Sequence, residues 1–304
     1  MIWFKNAQVY RFSETVAPEI ELWQEQMKQH LWAPCQQQQP VSLGWVSAIP
    51  DAETLIHTSG EFWLLCLQRQ ERLLPGPVVR EVLQEKVETI QSSEDRRVGS
   101  KERQTLKDEV IFSLLPKAFV RTSRHYLMID LKQRLLIVDA ASESRADEVT
   151  SFLRESLGSL PLTLLQSHCQ PSAILTQWIV TPDDIAPGWE LLPDLELTQS
   201  SNNDIKVRLK NLELDSESIA SHIEQDGRVI QIAVNWQDRV EAIITAKSQI
   251  KRIRFADLIT EQAMDQSDDD KYSQFDASFT LMANELSQLV AEMMKQFSVT
   301  EGPV

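Results

Sequence analysis

The chain has 304 residues, of which 42% are hydrophobic and 25% charged, and its formal net charge at pH 7 is -15. This is enough chain for one large or two to three ordinary folded domains, and the composition argues against disorder. The eight glycines are few for this length, which argues against glycine-rich phosphate loops, and no apolar run approaches the ~20 residues that cross a bilayer. Because the N-terminal residues alternate like a strand and do not resemble a signal peptide, we expect a cytoplasmic protein.

Strands and one helix are predicted for the N-terminal quarter of the chain. Residues 2–12 (IWFKNAQVYRF) have the alternation of a strand, and residues 44–49 and 62–67 are predicted to be further strands. Between the first two strands, apolar residues recur at helical spacing after Pro18, which stands in the first turn. The residues that mark this helix are Ile20, Met27 and Leu31.

A pair of helices is predicted after LLPGP at residues 73–77, where the strand pattern breaks. The first helix ends at the polar residues 92–95 and at Gly99, and the second runs from about Lys101 to Leu115, where Pro116 stops it. Because the pair stands between two β segments, we predict a projecting helical hairpin. The apolar positions that mark the two helices are Val78, Val79, Val82, Leu83, Val87 and Ile90, then Leu106, Val110, Leu114 and Ile111.

The second half of the chain alternates between strand and helix patterns. Residues 165–203 are predicted to be irregular, with WELL and LELT as short strands. An apolar stripe predicts a long helix from Asp276 to Phe297. The remaining strands are predicted at residues 126–130, 134–139, 205–210, 230–236, 240–244 and 250–255, and the remaining helices at 145–157 and 216–225.

Two of these strands are predicted to segregate their cations. In residues 205–210 the apolar side chains alternate with three cations, which predicts a half-buried strand with a cationic open side. In residues 250–255 strict alternation places Arg252 and Arg254 on one face, and Lys251 on the other face beside Ile253 and Phe255.

Positive charge is concentrated in one segment of this acidic chain. From Arg96 to Arg124 the local balance is +5, so the remainder carries -20. This distribution is expected if a polyanion must be admitted to one surface and kept off the others, although a charged helical surface can also be merely solvated. The cations of the segment are Arg96, Arg97, Lys101, Arg103, Lys107, Lys117, Arg121 and Arg124.

The sequence gives little support for catalysis. It contains no G-x-S-x-G, Walker A, G-x-G-x-x-G or H-E-x-x-H motif, and its three cysteines are too widely separated for a disulfide framework or a zinc site. His168 and Cys169 are the only adjacent soft ligands, and a polar loop beside a small thiol explains them. Asp268, Asp269 and Asp270 could hold Mg²⁺ for a nuclease, but successive aspartates in a loop usually point in different directions. We therefore expect a protein that is not an enzyme and that has no cofactor or metal.

Six motifs together resemble the recombination-associated protein RdgC family of bacteria. They are MIWFKNAQVYR at the start, LKDEVIFSLLPKAF at 106–119, SLGSLP at 156–161, NWQDRV at 235–240, IKRIRF at 250–255 and FDASFTLMANEL at 275–286. The resemblance runs from end to end and preserves order and approximate spacing. It implies an α+β protein that assembles head-to-head and tail-to-tail into a ring-shaped homodimer, holds duplex DNA in the hole with little sequence preference, and restrains RecA-promoted strand exchange.

The resemblance also implies residue roles. A phenylalanine that closes the ring in the family matches Phe119, which without the resemblance would be expected in the core. The opposite side of that gate matches Lys210 and Asn211, although some relatives place a lysine and a glutamine one step later, where this chain has Asn211 and Leu212. The candidate DNA-binding residues are Arg96, Arg97, Lys101, Arg103, Lys107, Lys117, Arg121, Lys210, Arg252 and Arg254.

The sequence therefore predicts an α+β fold with antiparallel sheets, flanking helices and the projecting hairpin. Its expected units are a first lobe of residues 1–75 and 118–165, a basic hairpin of residues 76–117, and a second lobe of residues 166–304 that carries the gate strand and the C-terminal helix. The expected protein is a homodimeric, sequence-independent DNA-binding protein of the nucleoid. An acidic module that binds recombination proteins directly is the alternative.

Overall fold

In the computed structural model the described residues are 1–13, 18–49, 52–165, 170–199, 202–211, 214, 217–265 and 270–297. Within them, twelve strands and eight α-helices alternate along the chain, which confirms the α+β class. The strands are β1 (Asn6–Phe12), β2 (Val41–Val46), β3 (Ile56–Ser59), β4 (Phe62–Leu73), β5 (Phe119–Asp130), β6 (Leu135–Val138), β7 (Leu162–Leu164), β8 (Trp189–Gln199), β9 (Asn202–Lys210), β10 (Gly227–Trp236), β11 (Val240–Thr245) and β12 (Ile250–Phe255). The helices are α1 (Ile20–Lys28), α2 (Gly76–Glu94), α3 (Ser100–Leu114), α4 (Glu143–Leu157), α5 (Pro171–Val180), α6 (Glu217–Glu224), α7 (Asp257–Asp265) and α8 (Lys271–Gln296).

The strands form one antiparallel sheet in the order β2-β4-β5-β6-β1-β12-β11-β10-β8-β9, with β3 on β4 and β7 on β1. Strand β1 joins the two halves, because Asn6 and Ala7 pair with β12 whereas residues 8–11 pair with β6. No helix among the described residues combines the length and the apolar character that a bilayer span requires.

Two hydrophobic cores lie against the sheet. The larger core contains α8 side chains such as Phe279 and Leu286 together with buried residues of β8 and β10–β12, and the smaller one contains Val149 and Leu153 of α4. Strand β4 serves both cores, because Leu64 and Cys66 enter the larger one while Leu65 and Leu67 enter the smaller one. The continuous apolar run FWLLCL is what a strand covered on both faces requires.

Helices α2 and α3 form the hairpin between β4 and β5, as predicted. The two strands pair over twelve residues each, and the pair Leu73 and Phe119 ends the ladder where the helices begin. Val79, Leu83 and Val87 of α2 and Val110 of α3 are buried, yet they belong to neither large core. Of the predicted apolar positions of α3, only Val110 is fully buried; Leu106, Ile111 and Leu114 are half-buried.

The prediction of an irregular segment at residues 165–203 is wrong for most of its described part. Helix α5 occupies Pro171–Val180, and WELL and LELT belong to one strand of eleven residues, β8. Pro193 interrupts the strand pattern because its nitrogen cannot donate to a ladder. The structure accommodates it in a bulge: Leu191 pairs with Val234 and Leu195 with Ile232, so four steps along β8 face two along β10.

Other differences are smaller. Strand β5 begins at Phe119 and not at Tyr126, and β3, β7 and α7 were not predicted. From Arg121 to His125, β5 carries polar side chains on both faces, so this part of the sequence has no apolar periodicity that predicts a strand. The pair His168 and Cys169 lies outside the described residues, as do Asp268 and Asp269.

Candidate functional site

A cationic groove lies on the open face of the half-sheet formed by β8–β12, opposite the face that packs on the larger core. It consists of a cavity of about 890 Å³ and a smaller one of about 220 Å³, which share Arg208, Gln231 and Lys251. Three acidic side chains also line the two cavities, Glu143, Asp194 and Glu196, so the local charge balance is +4. The seven cations of the groove are Lys206, Arg208, Lys210, Arg228, Lys247, Lys251 and Arg252.

Antiparallel pairing aligns many of these residues in rows that cross the strands. Thr198 of β8 pairs with Lys206 of β9 and with Arg228 of β10. Two residues earlier on β8, Glu196 pairs with Arg208 and with Gln231, and Asp194 pairs with Lys210. Because side chains two residues apart in a strand share a face, the three β9 cations lie on one face of the sheet, next to their partners on β8. The predicted alternation of this strand therefore positions its cations on the groove side.

Glu196 lies at the bottom of the groove and is only 5% exposed. Its Oε2 accepts hydrogen bonds from Arg208 Nε (3.0 Å) and Nη2 (2.7 Å) and from Gln231 Nε2 (2.9 Å). The Arg208 side chain is 62% exposed, so its guanidinium is held from below and presented to solvent. A buried carboxylate requires such partners, because an unpaired charge is expensive to bury.

Strand β12 departs from the predicted alternation. Its register to β11 shifts between Glu241 and Ile243, and Arg252 has φ 52°. Such a bulge adds one residue to a strand and resets which side chains share a face. Ile250 and Ile253, three residues apart, are therefore both buried.

The predicted placement of Lys251 away from Arg252 is wrong for this reason. Lys251 and Arg252 line the smaller cavity together with Lys210. The backbone amide of Arg252 donates to Asn6 Oδ1 at 3.4 Å, which ties the bulge to β1. Arg254 is exposed but lines neither cavity.

Glu143, at the start of α4, closes one side of the groove. Its Oε1 accepts from Lys247 Nζ (2.6 Å) and from Gln249 Nε2 (2.8 Å). The hydrogen bond from Lys247 lowers the pKa of this carboxyl, and the charge of Lys251 acts in the same direction. Lys206, Lys210, Lys251 and Arg252 make no ion pair with the described residues.

The hairpin carries a second set of predicted cations, and none of them lines the groove. Arg96 is held by Glu94 and by both oxygens of Glu102, at 2.7 Å each, and this pairing lowers the pKa of Glu102. Arg103 donates to Gln84, and Arg121 donates to Glu71 across the β4–β5 ladder. Arg97, Lys101, Lys107 and Lys117 are exposed as well, and they make no ion pair with the described residues.

The predicted gate residues lie in two places. Phe119 is 84% exposed at the base of the hairpin, so it does not take the core position that would be expected without the resemblance. Lys210 lies in the smaller cavity, and Asn211 follows it with φ 52° while its amide donates to Asp194 Oδ1 at 3.2 Å. Phe119 and its cross-strand partner Leu73 form an exposed apolar patch that requires an explanation.

The described acidic residues do not form a metal centre. Asp270 caps α8, where Oδ1 accepts from the amides of Tyr272 (2.8 Å) and Ser273 (3.0 Å). In the part of the chain that the structure describes, no group of three His, Cys, Asp or Glu side chains could hold a metal ion.

Five of the seven groove cations are absent from the predicted DNA-binding residues, which include only Lys210 and Arg252 of this set. Lys206 and Arg208 were recognised as cations of an open strand face but not as site residues, and Lys251 was assigned to the wrong face. Arg228 and Lys247 carry no local signal, since each is a single charge beside a turn. Only the pairing of β8 with β9 and β10 shows that Arg228 belongs with Lys206.

The comparisons with known proteins agree in one family. The model of the RdgC family, described as "Putative exonuclease, RdgC", matches residues 2–300. The recombination-associated protein RdgC of Proteus mirabilis is 36% identical over 97% of this chain and 98% of that protein, and that of Yersinia enterocolitica is 36% identical over 97% of each. The Pseudomonas fluorescens protein of the same name is 35% identical over 99% of each chain. The chain belongs to the RdgC family.

Proposed function

We propose that this recombination-associated protein is a sequence-independent DNA-binding protein that encircles duplex DNA as a ring-shaped homodimer and restrains RecA-mediated recombination. The observation that carries the proposal is the groove of seven cations on a chain whose net charge is -15. Phosphate contacts from lysine and arginine supply sequence-independent affinity, and an acidic exterior disfavours binding elsewhere. The restraint of RecA rests on the family resemblance.

The hairpin supplies a second phosphate-binding surface in this proposal. Arg97, Lys101, Lys107 and Lys117 are exposed there, and exposed lysines and arginines can release condensed counterions from a duplex. Arg96, Arg103 and Arg121 contribute after exchanging their present partners. In this proposal residues 76–117 form the basic hairpin, residues 1–75 and 118–165 the first lobe, and residues 166–304 the second lobe.

In this proposal the gate residues close the ring. Phe119 projects from the base of the hairpin and would contact the second protomer, where Lys210 and Asn211 would face it. Burying a phenylalanine that is 84% exposed in the protomer removes apolar area from water and so favours association. A closed ring would keep the protein on duplex DNA inside the nucleoid and out of the path of the recombinase.

Salt-titrated binding to linear duplex, covalently closed circular duplex and single-stranded DNA tests the proposal. We expect similar affinity for unrelated duplex sequences and a log-log salt slope of about -0.9 for each neutralised phosphate. Arg96→Glu combined with Arg97→Glu should weaken binding to all sequences alike and leave the dimer intact. Absence of duplex binding at low salt, or binding indifferent to salt, would refute the proposal.

Two further measurements separate mechanisms. Restraint of RecA strand exchange should disappear in variants that lose DNA binding; a RecA pull-down that survives nuclease treatment would instead favour direct contact through the acidic exterior. We propose action without hydrolysis, so supercoiled DNA incubated with the protein and Mg²⁺ should remain intact. Nicking or end degradation would support the exonuclease named in the family description.

A further inference from the structure

Strand β9 presents a regular row of cations that is suited to binding the phosphates of one DNA strand. It ends the sheet order among the described strands, and its cations Lys206, Arg208 and Lys210 occupy alternate positions. Alternate residues of an antiparallel strand are about 6.8 Å apart. Such a regularly spaced row of cations can neutralise phosphates along one DNA strand.

Arg208 differs from the two lysines because its orientation is fixed. Glu196 Oε2 accepts from Nε and Nη2, which occupy one edge of the planar guanidinium. An arginine has five N–H donors, so the Nη1–Nη2 edge still presents a fork of parallel donors. That fork matches two oxygens of a phosphate, whereas a lysine acts as a point charge.

Gln231 completes the arrangement from the other side of β8. Its Nε2 donates to the same Glu196 oxygen at 2.9 Å, and the three residues stand in one row across β9, β8 and β10. Arg208 and Gln231 line both cavities, so this row crosses the middle of the groove.

We propose that Glu196 is a positioning residue for DNA binding: it holds Arg208 so that the free edge of its guanidinium takes one phosphodiester of a DNA strand that lies along β9. The inference rests on the proposed function and adds the residue that orients its central contact. A carboxylate at the bottom of a polyanion site is otherwise unfavourable, since like charges repel. Edge strands often carry charged residues that block the addition of another strand. That role would not require a buried carboxylate bonded to the arginine.

Glu196→Gln is the decisive variant because two explanations predict opposite changes in its affinity for DNA. If only net charge matters, removing a negative charge from the groove tightens binding. If Glu196 positions Arg208, affinity for a labelled duplex oligonucleotide falls about tenfold, the loss expected for one charge-assisted contact. The magnitude of the log-log salt slope should also fall by about 0.9, one phosphate contact.

Glu241→Gln is the matched control. Glu241 is an exposed carboxylate of β11, so its removal changes the net charge equally without touching the row. We expect it to bind as tightly as the unaltered protein or slightly more tightly. Arg208→Lys keeps the charge and removes the paired N–H donors, so it should show the same loss of DNA affinity. It is the deciding variant if Glu196→Gln fails to fold.

The outcomes separate the two proposals. A folded Glu196→Gln that binds DNA as well as Glu241→Gln overturns the positioning role and leaves the proposed function standing. If Glu196→Gln does not fold, unchanged affinity in Arg208→Lys overturns it instead. An unaltered protein that binds no duplex at low salt overturns both proposals.

Discussion

Leu73 and Phe119 are the last pair of the β4–β5 ladder, directly beneath the helical hairpin. These two residues are 41% and 84% exposed, so the ladder ends in an apolar patch that the other described residues of the chain leave uncovered. Phe119 therefore contributes little to the stability of the single chain, and its proposed role at the gate can be tested without unfolding the chain.

Phe119→Ala should weaken the dimer while leaving the free energy of unfolding within about 0.5 kcal/mol, as is usual for exposed positions. Sedimentation velocity over a concentration series measures the first effect, and urea unfolding measures the second. Phe112→Ala is the control, because Phe112 is 54% exposed on α3. Equal dissociation of both variants, or of neither, would remove Phe119 from the gate.

Arg72 links the C-terminal end of the hairpin to the segment that precedes β2. Its guanidinium donates to the carbonyls of Cys35 (3.4 Å), Gln36 (3.1 Å), Leu115 (3.1 Å) and Ala118 (3.4 Å). Arg72→Lys cannot reach all four, and losing about 1.5 kcal/mol of local stability should speed amide exchange of residues 115–120 roughly tenfold. Hydrogen–deuterium exchange measures this.

The control for Arg72 is Arg80→Lys, at an exposed position on α2. We expect this variant to leave exchange at residues 115–120 unchanged. Uniform acceleration across the whole sheet in Arg72→Lys would mean that Arg72 supports global stability and not the attachment of the hairpin.

The pair Arg239 and Glu285 joins the β10–β11 turn to α8. Arg239 Nε donates to Glu285 Oε2 at 2.8 Å, and Nη2 donates to Oε1. Because Glu285 is buried, Arg239→Ala leaves a buried charge without its partner and should cost about 3 kcal/mol in urea unfolding. Lys295→Ala breaks only the exposed pair with Glu292 and should cost less than about 0.5 kcal/mol.

Asp139 makes stability depend on pH. Burial raises the pKa of its carboxyl, although Oδ1 accepts from the amides of Lys5 (3.2 Å) and Asn6 (2.9 Å). The folded state therefore holds the proton more tightly than the unfolded state, and the contribution of this group to stability is lost as pH rises through the raised pKa.

Asp139→Asn keeps an acceptor oxygen and removes the desolvated charge. We expect its melting temperature to exceed that of the unaltered protein at neutral pH, with the difference shrinking as pH falls through the raised pKa and reaching its smallest value below the ordinary pKa of aspartate. Asp139→Ala lacks the acceptor and should melt lower at every pH. A difference between Asp139→Asn and the unaltered protein that does not change with pH would contradict this account.

Cys66 should resist alkylation in the folded protein. Burial raises the pKa of its thiol to about 12, so at about pH 8 roughly one molecule in ten thousand carries the reactive thiolate. Mass spectrometry after iodoacetamide treatment should find Cys66 modified only when the protein is unfolded by urea. Rapid native labelling of Cys66 would contradict its placement in the larger core.

Local patterns in the sequence predicted the helical hairpin, the long C-terminal helix and the alternation of β9, because each depends on periodicity within a few turns or residues. The resemblance on six motifs identified the family over the whole chain, which the comparisons confirm. The roles of Phe119, Lys210 and Asn211 stay predictions, as do the ring and its partners.

Tertiary structure decided the groove. Arg208, Glu196 and Gln231 come from three strands, and the pairing of β8 with β10 shifts register on both sides of the Glu196–Gln231 pair. The direction in which Lys251 points depends on a bulge at Arg252. One extra residue in a strand turns every later side chain to the other face. The sequence thus determined which residues are cations in strands, whereas strand pairing and bulges determined which of them face one another across a common groove.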